Sequence, residues 1–198
     1  MKNTIPNRKI IFQKIGNIED EILQDLKEQV ERAFKPFSLT VQIADSSLSL
    51  LSSEYNRKKQ YYDALKMLDR IYTLAKKHGY FRTLGIINKD IFSKNRNDIV
   101  FGIARLPRVQ KYNENGVALI SLTQLQKKNF EESKRKDTFL MRVSKEAIHE
   151  LGHTFNLHHC DNECIMQFSN NITKSDRKPS TFCESCYSRL TNYFNQKE

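Results

Sequence analysis

The feature that most constrains this chain is a group of histidines in its last quarter. Residues 149–159 read HELGHTFNLHH, which places His149, His153 and His159 at intervals of four and six residues. On a helix, residues four apart lie on one face, so the imidazoles of His149 and His153 would stand side by side. Two imidazoles in this arrangement are typical of a zinc site, and the pattern therefore predicts a helix that ends beside a metal ion.

The third histidine requires the helix to end before it. A residue ten positions after His149 cannot reach the same ion along a straight helix, so the chain has to turn sharply after His153. Asn156 lies where this turn is needed, and asparagine adopts the left-handed backbone conformation more readily than other non-glycine residues. His158 is the alternative third ligand, although the spacing favours His159. Three histidines with one open position are the ligand set of catalytic zinc.

Glu150 follows the first histidine and lies about 100° further round the helix. From this position its carboxylate can reach a water molecule on the metal without binding the metal itself. The pattern therefore predicts that Glu150 is a general base. The motif H-E-x-x-H by itself also occurs on polar, solvent-exposed helix faces, so the prediction depends on the third histidine as well.

All four cysteines follow the histidines, and the first 159 residues contain none. They are Cys160, Cys164, Cys183 and Cys186. Two disulfide bonds with three alternative pairings are one interpretation. The N-terminal residues include no apolar segment typical of a secretion signal, which favours the cytoplasm and free thiolates. Four thiolates predict a structural zinc ion, and we expect two zinc ions in total because seven ligands cannot share one tetrahedral centre.

The composition is that of an ordinary globular domain of 198 residues with a net charge of +10. Its basic residues are scattered in short runs, so a nucleic-acid partner is judged unlikely. No stretch of 18 apolar residues predicts a membrane span.

The alternative function is a catalytically silent module that binds zinc and interacts with nucleic acid or protein. An intact Glu150 argues against it, because a module of this kind needs no base. Another zinc-dependent hydrolysis with the same ligands is a third alternative.

Hydropathy patterns ahead of the histidines predict an α/β fold. Five segments resemble strands, at residues 8–14, 38–44, 80–87, 98–104 and 116–122. Three segments resemble helices, at residues 22–34, 60–78 and from about 137 onward. Strands that alternate with helices indicate a mixed sheet covered on its faces. Because the composition changes after Phe155, we expect an N-terminal subdomain over residues 1–155 and a small C-terminal lobe over residues 156–198, organised by metal rather than by its own core.

The ordered set of motifs resembles the archaemetzincin branch of the metzincin metalloproteases. In that branch a cysteine follows the third histidine, a second cysteine stands just ahead of a methionine, and a C-x-x-C closes the motif. Here these elements are Cys160, the segment 164–166 (CIM) and the segment 183–186 (CESC). Residues 176–179 (DRKP) are also similar to the branch. Two features depart from it: Asn156 replaces a glycine, and three residues rather than four follow Cys160 before the next cysteine, which bears on the geometry of the second zinc site.

The resemblance implies a zinc-dependent peptidase with a metzincin-like fold, in which a five-stranded mixed sheet and an active-site helix precede a zinc-organised lobe. Peptide bonds would be hydrolysed through a zinc-activated water and a glutamate base. The resemblance also implies that Met166 occupies a tight turn beneath the catalytic zinc, and that the strand at residues 98–104 borders the cleft and pairs with an extended substrate. The expected partner is a peptide or protein substrate, with the protein acting as a cytoplasmic monomer.

Overall fold

A computed structural model describes residues 8–106, 115–126 and 132–195 of the chain. Within these ranges there are nine strands and five α-helices. The strands are β1 (Lys9–Ile15), β2 (Thr40–Ile43), β3 (Tyr55–Asn56), β4 (Tyr61–Asp63), β5 (Arg82–Ile87), β6 (Ile91–Ser93), β7 (Asp98–Val100), β8 (Gly102–Arg105) and β9 (Gly116–Ser121). The helices are α1 (Asp20–Phe34), α2 (Ala64–His78), α3 (Glu132–Thr154), α4 (Ile172–Arg177) and α5 (Glu184–Asn195).

A five-stranded mixed sheet in the order β2-β1-β5-β9-β8 forms the centre of the fold. The first four strands run parallel, and the edge strand β8 runs antiparallel to β9. Strands β5 and β9 are buried along their whole length, as parallel strands covered on both faces should be. Apolar residues of α1 and α3 pack on one face of the sheet and those of α2 on the other. The predicted mixed sheet flanked by helices is confirmed.

The segment 98–104 differs from the single strand that its pattern predicts. It divides at Phe101 into β7 and β8, which belong to different sheets. Strand β7 joins a second sheet in the order β3-β4-β6-β7, whose strands are only two or three residues long and carry no clear periodicity. Helix α2 begins at Ala64 rather than near residue 60, because the Asp63 side chain accepts two backbone hydrogen bonds as its N-terminal cap.

The C-terminal residues share the hydrophobic core of the main sheet. Apolar side chains from this part of the chain lie in one cluster with residues of α1, α3 and the sheet; they are Leu157, Cys164, Ile165, Met166, Cys186, Leu190, Tyr193 and Phe194. Arg82 of β5 is fully buried beneath α5, where it donates a hydrogen bond to the Tyr193 hydroxyl and lies 4.7 Å from the ring centre of Phe155. The sequence patterns did not predict α4, α5 or these contacts, and the division at residue 156 stays a prediction.

No helix among the described residues has both the length and the apolar character that crossing a membrane requires.

Candidate active site

Helix α3 carries the first two histidines on its final turns and ends in a sharp reversal. Asn156 has a φ of 64°, in the left-handed region. The N–H of Asn156 donates to the carbonyl of His153 at 3.0 Å, and the N–H of Leu157 donates to the carbonyl of Gly152 at 3.1 Å. This pair of hydrogen bonds is the Schellman motif, which ends a helix at a left-handed residue. The predicted turn at Asn156 is confirmed.

The turn brings His159 back to the two helical histidines. One ring nitrogen from each of His149, His153 and His159 lies within 4.8 Å of the other two. The Nδ1–H of His149 donates to the carbonyl of Ile165 at 3.0 Å, and that of His153 donates to the carbonyl of Leu157 at 2.7 Å. Because Nδ1 carries the hydrogen in both rings, each Nε2 lone pair is free to bind a metal ion.

Burial keeps the two helical histidines in the form that binds metal. It lowers the pKa of His149 well below its ordinary value and the pKa of His153 to about 4. The pKa of His159 is also lowered, again mainly by burial. Neutral imidazoles are metal ligands, whereas protonated ones are not. His158, the alternative third ligand, and His159 are both exposed, and only His159 places a ring nitrogen beside those of His149 and His153.

The spacing of the nitrogen atoms suits zinc. A tetrahedral ion with Zn–N bonds of about 2.0–2.1 Å separates neighbouring ligand nitrogens by about 3.3 Å. The Nε2 atoms of His149 and His153 are 3.1 Å apart. The three imidazoles therefore match a catalytic zinc site in donor type, number and spacing.

The four cysteines form a second cluster that begins directly after His159. Their sulfur atoms all lie within 4.8 Å of one another, and all four are free thiols, so the disulfide interpretation does not apply. The sulfur atoms of Cys160 and Cys183 are 3.7 Å apart. A tetrahedral ion with Zn–S bonds of about 2.3 Å separates its sulfur ligands by about 3.8 Å. The shorter loop from Cys160 to Cys164 thus still brings both thiols into a cluster that suits zinc.

Met166 packs beneath α3 against Gly152, which lies between His149 and His153 on the helix. It belongs to a tight turn closed by a hydrogen bond from the N–H of Gln167 to the carbonyl of Cys164 at 3.0 Å. Met166 is fully buried, and a Cβ added to Gly152 would lie 2.5 Å from its sulfur. Gly152 therefore leaves the space that the methionine occupies. The position agrees with the one that the resemblance implies for Met166.

Glu150 is buried between α3 and the edge strand β8, with only 2% of its surface exposed. A Cβ added to Gly102 of β8 would lie 2.6 Å from Cγ of Glu150. Burial first, and the nearby charge of Glu146 second, raise the pKa of Glu150 well above its ordinary value. Its Oε2 has no hydrogen-bond partner within the described part of the chain. A carboxyl group of this kind beside a metal site is suited to accept and release a proton.

Three residues around Glu150 were not identified from the sequence as part of the site. Glu146 is buried one helical turn before Glu150 and forms an ion pair with Lys178, whose Nζ is 3.8 Å away. Two weak signals were present: Glu146 stands four residues before Glu150, and Gly102 interrupts an apolar strand, which often marks a close approach. Lys178 belongs to the segment 176–179 that resembles the archaemetzincin branch, but its spacing does not indicate that it would reach this region.

A cavity of about 350 Å³ opens beside Glu146. Its walls come from β7, from the turn before it and from the residues after Met166; they include Arg96, Asp98, Ile99, Phe101, Phe168 and Ser169. The ring of Phe168 is 5.0 Å from that of His159 and 5.4 Å from the Arg96 guanidinium. The cavity therefore adjoins the metal site, and its volume is that of a small ligand-binding pocket.

Comparisons with known proteins agree with this geometry. The sequence profile of peptidase family M54 matches residues 7–192. The archaemetzincin of Pyrococcus furiosus is 32% identical over 183 residues, which is 91% of each chain. The solved structure of the archaemetzincin of Methanopyrus kandleri has a TM-score of 0.77 at 27% identity and covers 98% of this chain and 99% of its own. That of the archaemetzincin of Archaeoglobus fulgidus, complexed with malonate, has a TM-score of 0.72 at 30% identity, with coverages of 91% and 99%.

The fold, the site and these relatives define the class of the protein as a zinc metallopeptidase. Within that class, the chain belongs to peptidase family M54, the archaemetzincins. The resemblance inferred from the histidine and cysteine motifs is confirmed.

Proposed function

We propose that this archaemetzincin hydrolyses peptide bonds with His149, His153 and His159 as the ligands of a catalytic zinc ion and Glu150 as the general base. The observation that carries the proposal is the place of Glu150, a buried carboxyl group on the same helix as two converging imidazoles. Zinc at such a site polarises the scissile carbonyl and lowers the pKa of a bound water toward about 7.

Glu150 moves the proton in this reaction. Its carboxylate accepts a proton from the attacking water and then donates it to the leaving amine. Because Glu150 lies against Gly102, the proton is held next to the edge strand.

Among the described residues no strand pairs with the outer edge of β8, and this free edge offers a place for an extended substrate. The N–H of Ser121 donates to the carbonyl of Phe101 at 2.7 Å. The backbone N–H and C=O groups of successive residues point to opposite sides along an antiparallel pair. Those of Ile103 therefore face β9, whereas those of Gly102 and Ala104 face the free edge. A peptide that adds to this edge as a further strand would pass directly beside Glu150.

We further propose that Cys160, Cys164, Cys183 and Cys186 hold a second, structural zinc ion and that residues 156–198 form a lobe organised around it. Four thiolates complete a tetrahedral set and leave no position for a substrate. Because Cys160 is the neighbour of His159, fixing this cysteine in the cluster also fixes the third histidine of the catalytic site.

Cleavage of a mixed peptide library by the zinc-loaded wild type and by Glu150→Ala tests the catalytic assignment. We expect turnover to fall by about 10²-fold or more, the size of a lost general base. Zinc content and thermal stability should stay at the wild-type level, because Glu150 is not a ligand. A variant that keeps full activity, or that loses zinc, would contradict the assigned role. If zinc-loaded wild type cleaves nothing, the peptidase proposal itself fails.

A further inference from the structure

Lys178 is a buried cation close to the catalytic carboxyl group. Its side chain is 1% exposed, and its Nζ makes no hydrogen bond to any residue that the structure describes. Its ion pair with Oε2 of Glu146 is long, at 3.8 Å. Burying an ammonium group costs more than an ion pair of this length returns, so stability alone does not account for a lysine at this position.

Glu146 connects Lys178 to Glu150. The two glutamates are four residues apart on α3 and therefore lie on the same face, one turn from each other. Both are buried, and the charge of Glu146 adds to the effect of burial on the pKa of Glu150, because the two carboxyl groups share this face of α3. Negative charge on neighbouring buried carboxyl groups is repulsive, and Lys178 supplies a compensating positive charge. Lys178 thus lies beside Glu146, which stands one turn before Glu150 on the same face of α3.

The backbone of Lys178 is held in place independently of Glu146. Its N–H donates to the carbonyl of Lys174 at 3.1 Å, which closes the end of α4. Helix α4 is fastened to α3 by Arg142, whose guanidinium donates two hydrogen bonds to the Asp176 carboxylate at 2.6 and 2.8 Å. Lys178 is therefore a fixed point against which Glu146 can be oriented.

We propose that Lys178 is a positioning residue that acts through Glu146 to hold the Glu150 carboxyl group against Gly102, in the place where it serves the reaction. The inference rests on the proposed function of Glu150 and extends it. It implies that the C-terminal part of the chain, through Lys178, contributes to the orientation of the base as well as to the binding of metal.

A second buried lysine provides a matched control. Lys145 lies on α3 and crosses the same interface from the other side, because its Nζ donates to the carbonyls of Ser175 at 3.3 Å and Asp176 at 3.0 Å, in the segment that carries Lys178. Its side chain also borders a groove between α1 and α3. Lys145→Met and Lys178→Met therefore remove the same group from the same interface, and only the second removes the ion pair with Glu146.

The first measurement is the Kd of acetohydroxamate for the zinc-loaded variants, by titration calorimetry. A hydroxamate binds zinc through its oxygens and can donate a hydrogen bond to a neighbouring carboxylate, so its affinity reports on Glu150 without any peptide or turnover. We expect Lys178→Met to weaken binding by about tenfold or more, the size of one hydrogen bond to a charged group. Lys145→Met should bind within about twofold of the wild type, and zinc content should be unchanged in both.

Two further variants decide whether the effect passes through Glu146. Lys178→Arg keeps the charge and should restore most of the affinity. Glu146→Gln should weaken binding as Lys178→Met does, and the double variant should be no worse than either single variant, because both changes act on the same carboxyl group. In peptide cleavage, the same variants should lower kcat with little change in KM.

The proposal is overturned if Lys178→Met keeps its zinc and binds acetohydroxamate as the wild type does, or if Lys145→Met loses as much affinity. Should Lys178→Met fail to fold, Glu146→Gln decides, because it preserves volume, and wild-type affinity in that variant rejects the inference. If the affinities follow the expectation but the wild type cleaves no peptide, the positioning role stands and only the peptidase proposal fails.

Discussion

At the scale of single residues, two glycines determine how closely the parts of the site approach one another. A Cβ on Gly102 would lie 2.6 Å from Cγ of Glu150, and a Cβ on Gly152 would lie 2.5 Å from the sulfur of Met166. Carbon atoms do not approach their neighbours this closely, so any larger residue must displace the base or the methionine turn. The absence of a side chain at these positions is thus part of the geometry of the site.

Gly102→Ala should therefore reduce turnover more than it reduces stability. The new methyl group pushes the Glu150 carboxyl out of position, and misplacement of a catalytic group by about 1 Å can cost about 10²-fold in rate. Kinetics and thermal melting of the zinc-loaded variant measure the two effects separately. Gly85→Ala is the control, because its Cβ would lie 2.4 Å from Ile71, on the other face of the sheet. It should lose about 1–3 kcal/mol of stability and keep its kcat. Equal behaviour of the two variants would contradict the prediction.

At the scale of secondary-structure elements, the end of α3 and the edge of β8 define the cleft. The helix supplies two histidines and the base, its Schellman turn returns the third histidine, and the edge strand lies against the base. Neither element is sufficient alone, since a straight helix would carry His159 away and an interior strand would have no free edge.

The turn at Asn156 should accept glycine and reject valine. A left-handed backbone costs a β-branched residue about 1–2 kcal/mol and costs glycine nothing. Asn156→Val should therefore displace His159 and weaken zinc binding at the histidine site, as measured by competition with a chelator, while Asn156→Gly stays close to the wild type. Unchanged zinc affinity in Asn156→Val would show that the left-handed turn does not hold His159 in place.

The free edge of β8 is tested by Ala104→Pro. The register directs the Ala104 N–H away from β9, so proline removes a group for substrate pairing and leaves the ladder intact. We expect kcat/KM for a peptide to fall by about two- to tenfold, the size of one neutral hydrogen bond, with little change in melting temperature. Ala104→Val keeps the N–H and is the size control, and it should retain activity. If both variants are fully active, substrates do not pair with this edge.

At the scale of the whole molecule, the histidine cluster and the cysteine cluster are neighbours in sequence, but different parts of the fold hold them in place. The histidine cluster depends on α3 and on the turn after it. The cysteine cluster is surrounded by C-terminal residues whose apolar side chains share the main core, among them Leu190 and Phe194. A change at the cysteines should therefore reach the histidines through the peptide bond between His159 and Cys160.

A chelator should remove activity before it loosens the fold. The open histidine site exposes its ion to the chelator, whereas four thiolates enclose theirs and hold it more tightly. Brief chelation should abolish peptide cleavage with little loss of stability, and added zinc should restore it. Cys186→Ser should lower stability and also weaken zinc binding at the histidines. Zinc content, activity and protease sensitivity of residues 156–186 would be followed together, and loosening of this segment before activity falls would contradict two separate roles for the metals.

The amino-acid sequence by itself determined the parts of the protein that depend on local geometry. Spacing of four places His149 and His153 on one helix face, and the tolerance of Asn156 for a left-handed backbone ends that helix. Both are properties of a few consecutive residues and hold whatever the rest of the chain does. The same is true of the cysteine spacing and of the strands β5 and β9, which the hydropathy pattern of their own residues predicts.

Only the tertiary structure decided which distant residues meet. Gly102 and Lys178 are 48 and 28 positions from Glu150, yet both bear on its environment. Similarly, the division of residues 98–104 between two sheets depends on which strands β7 and β8 pair with, because either half is compatible with a strand. Periodicity reports which face of an element is apolar, but not which partner covers it. Long-range packing therefore fixes the strand order, the contact of the C-terminal residues with the core and the surroundings of the base.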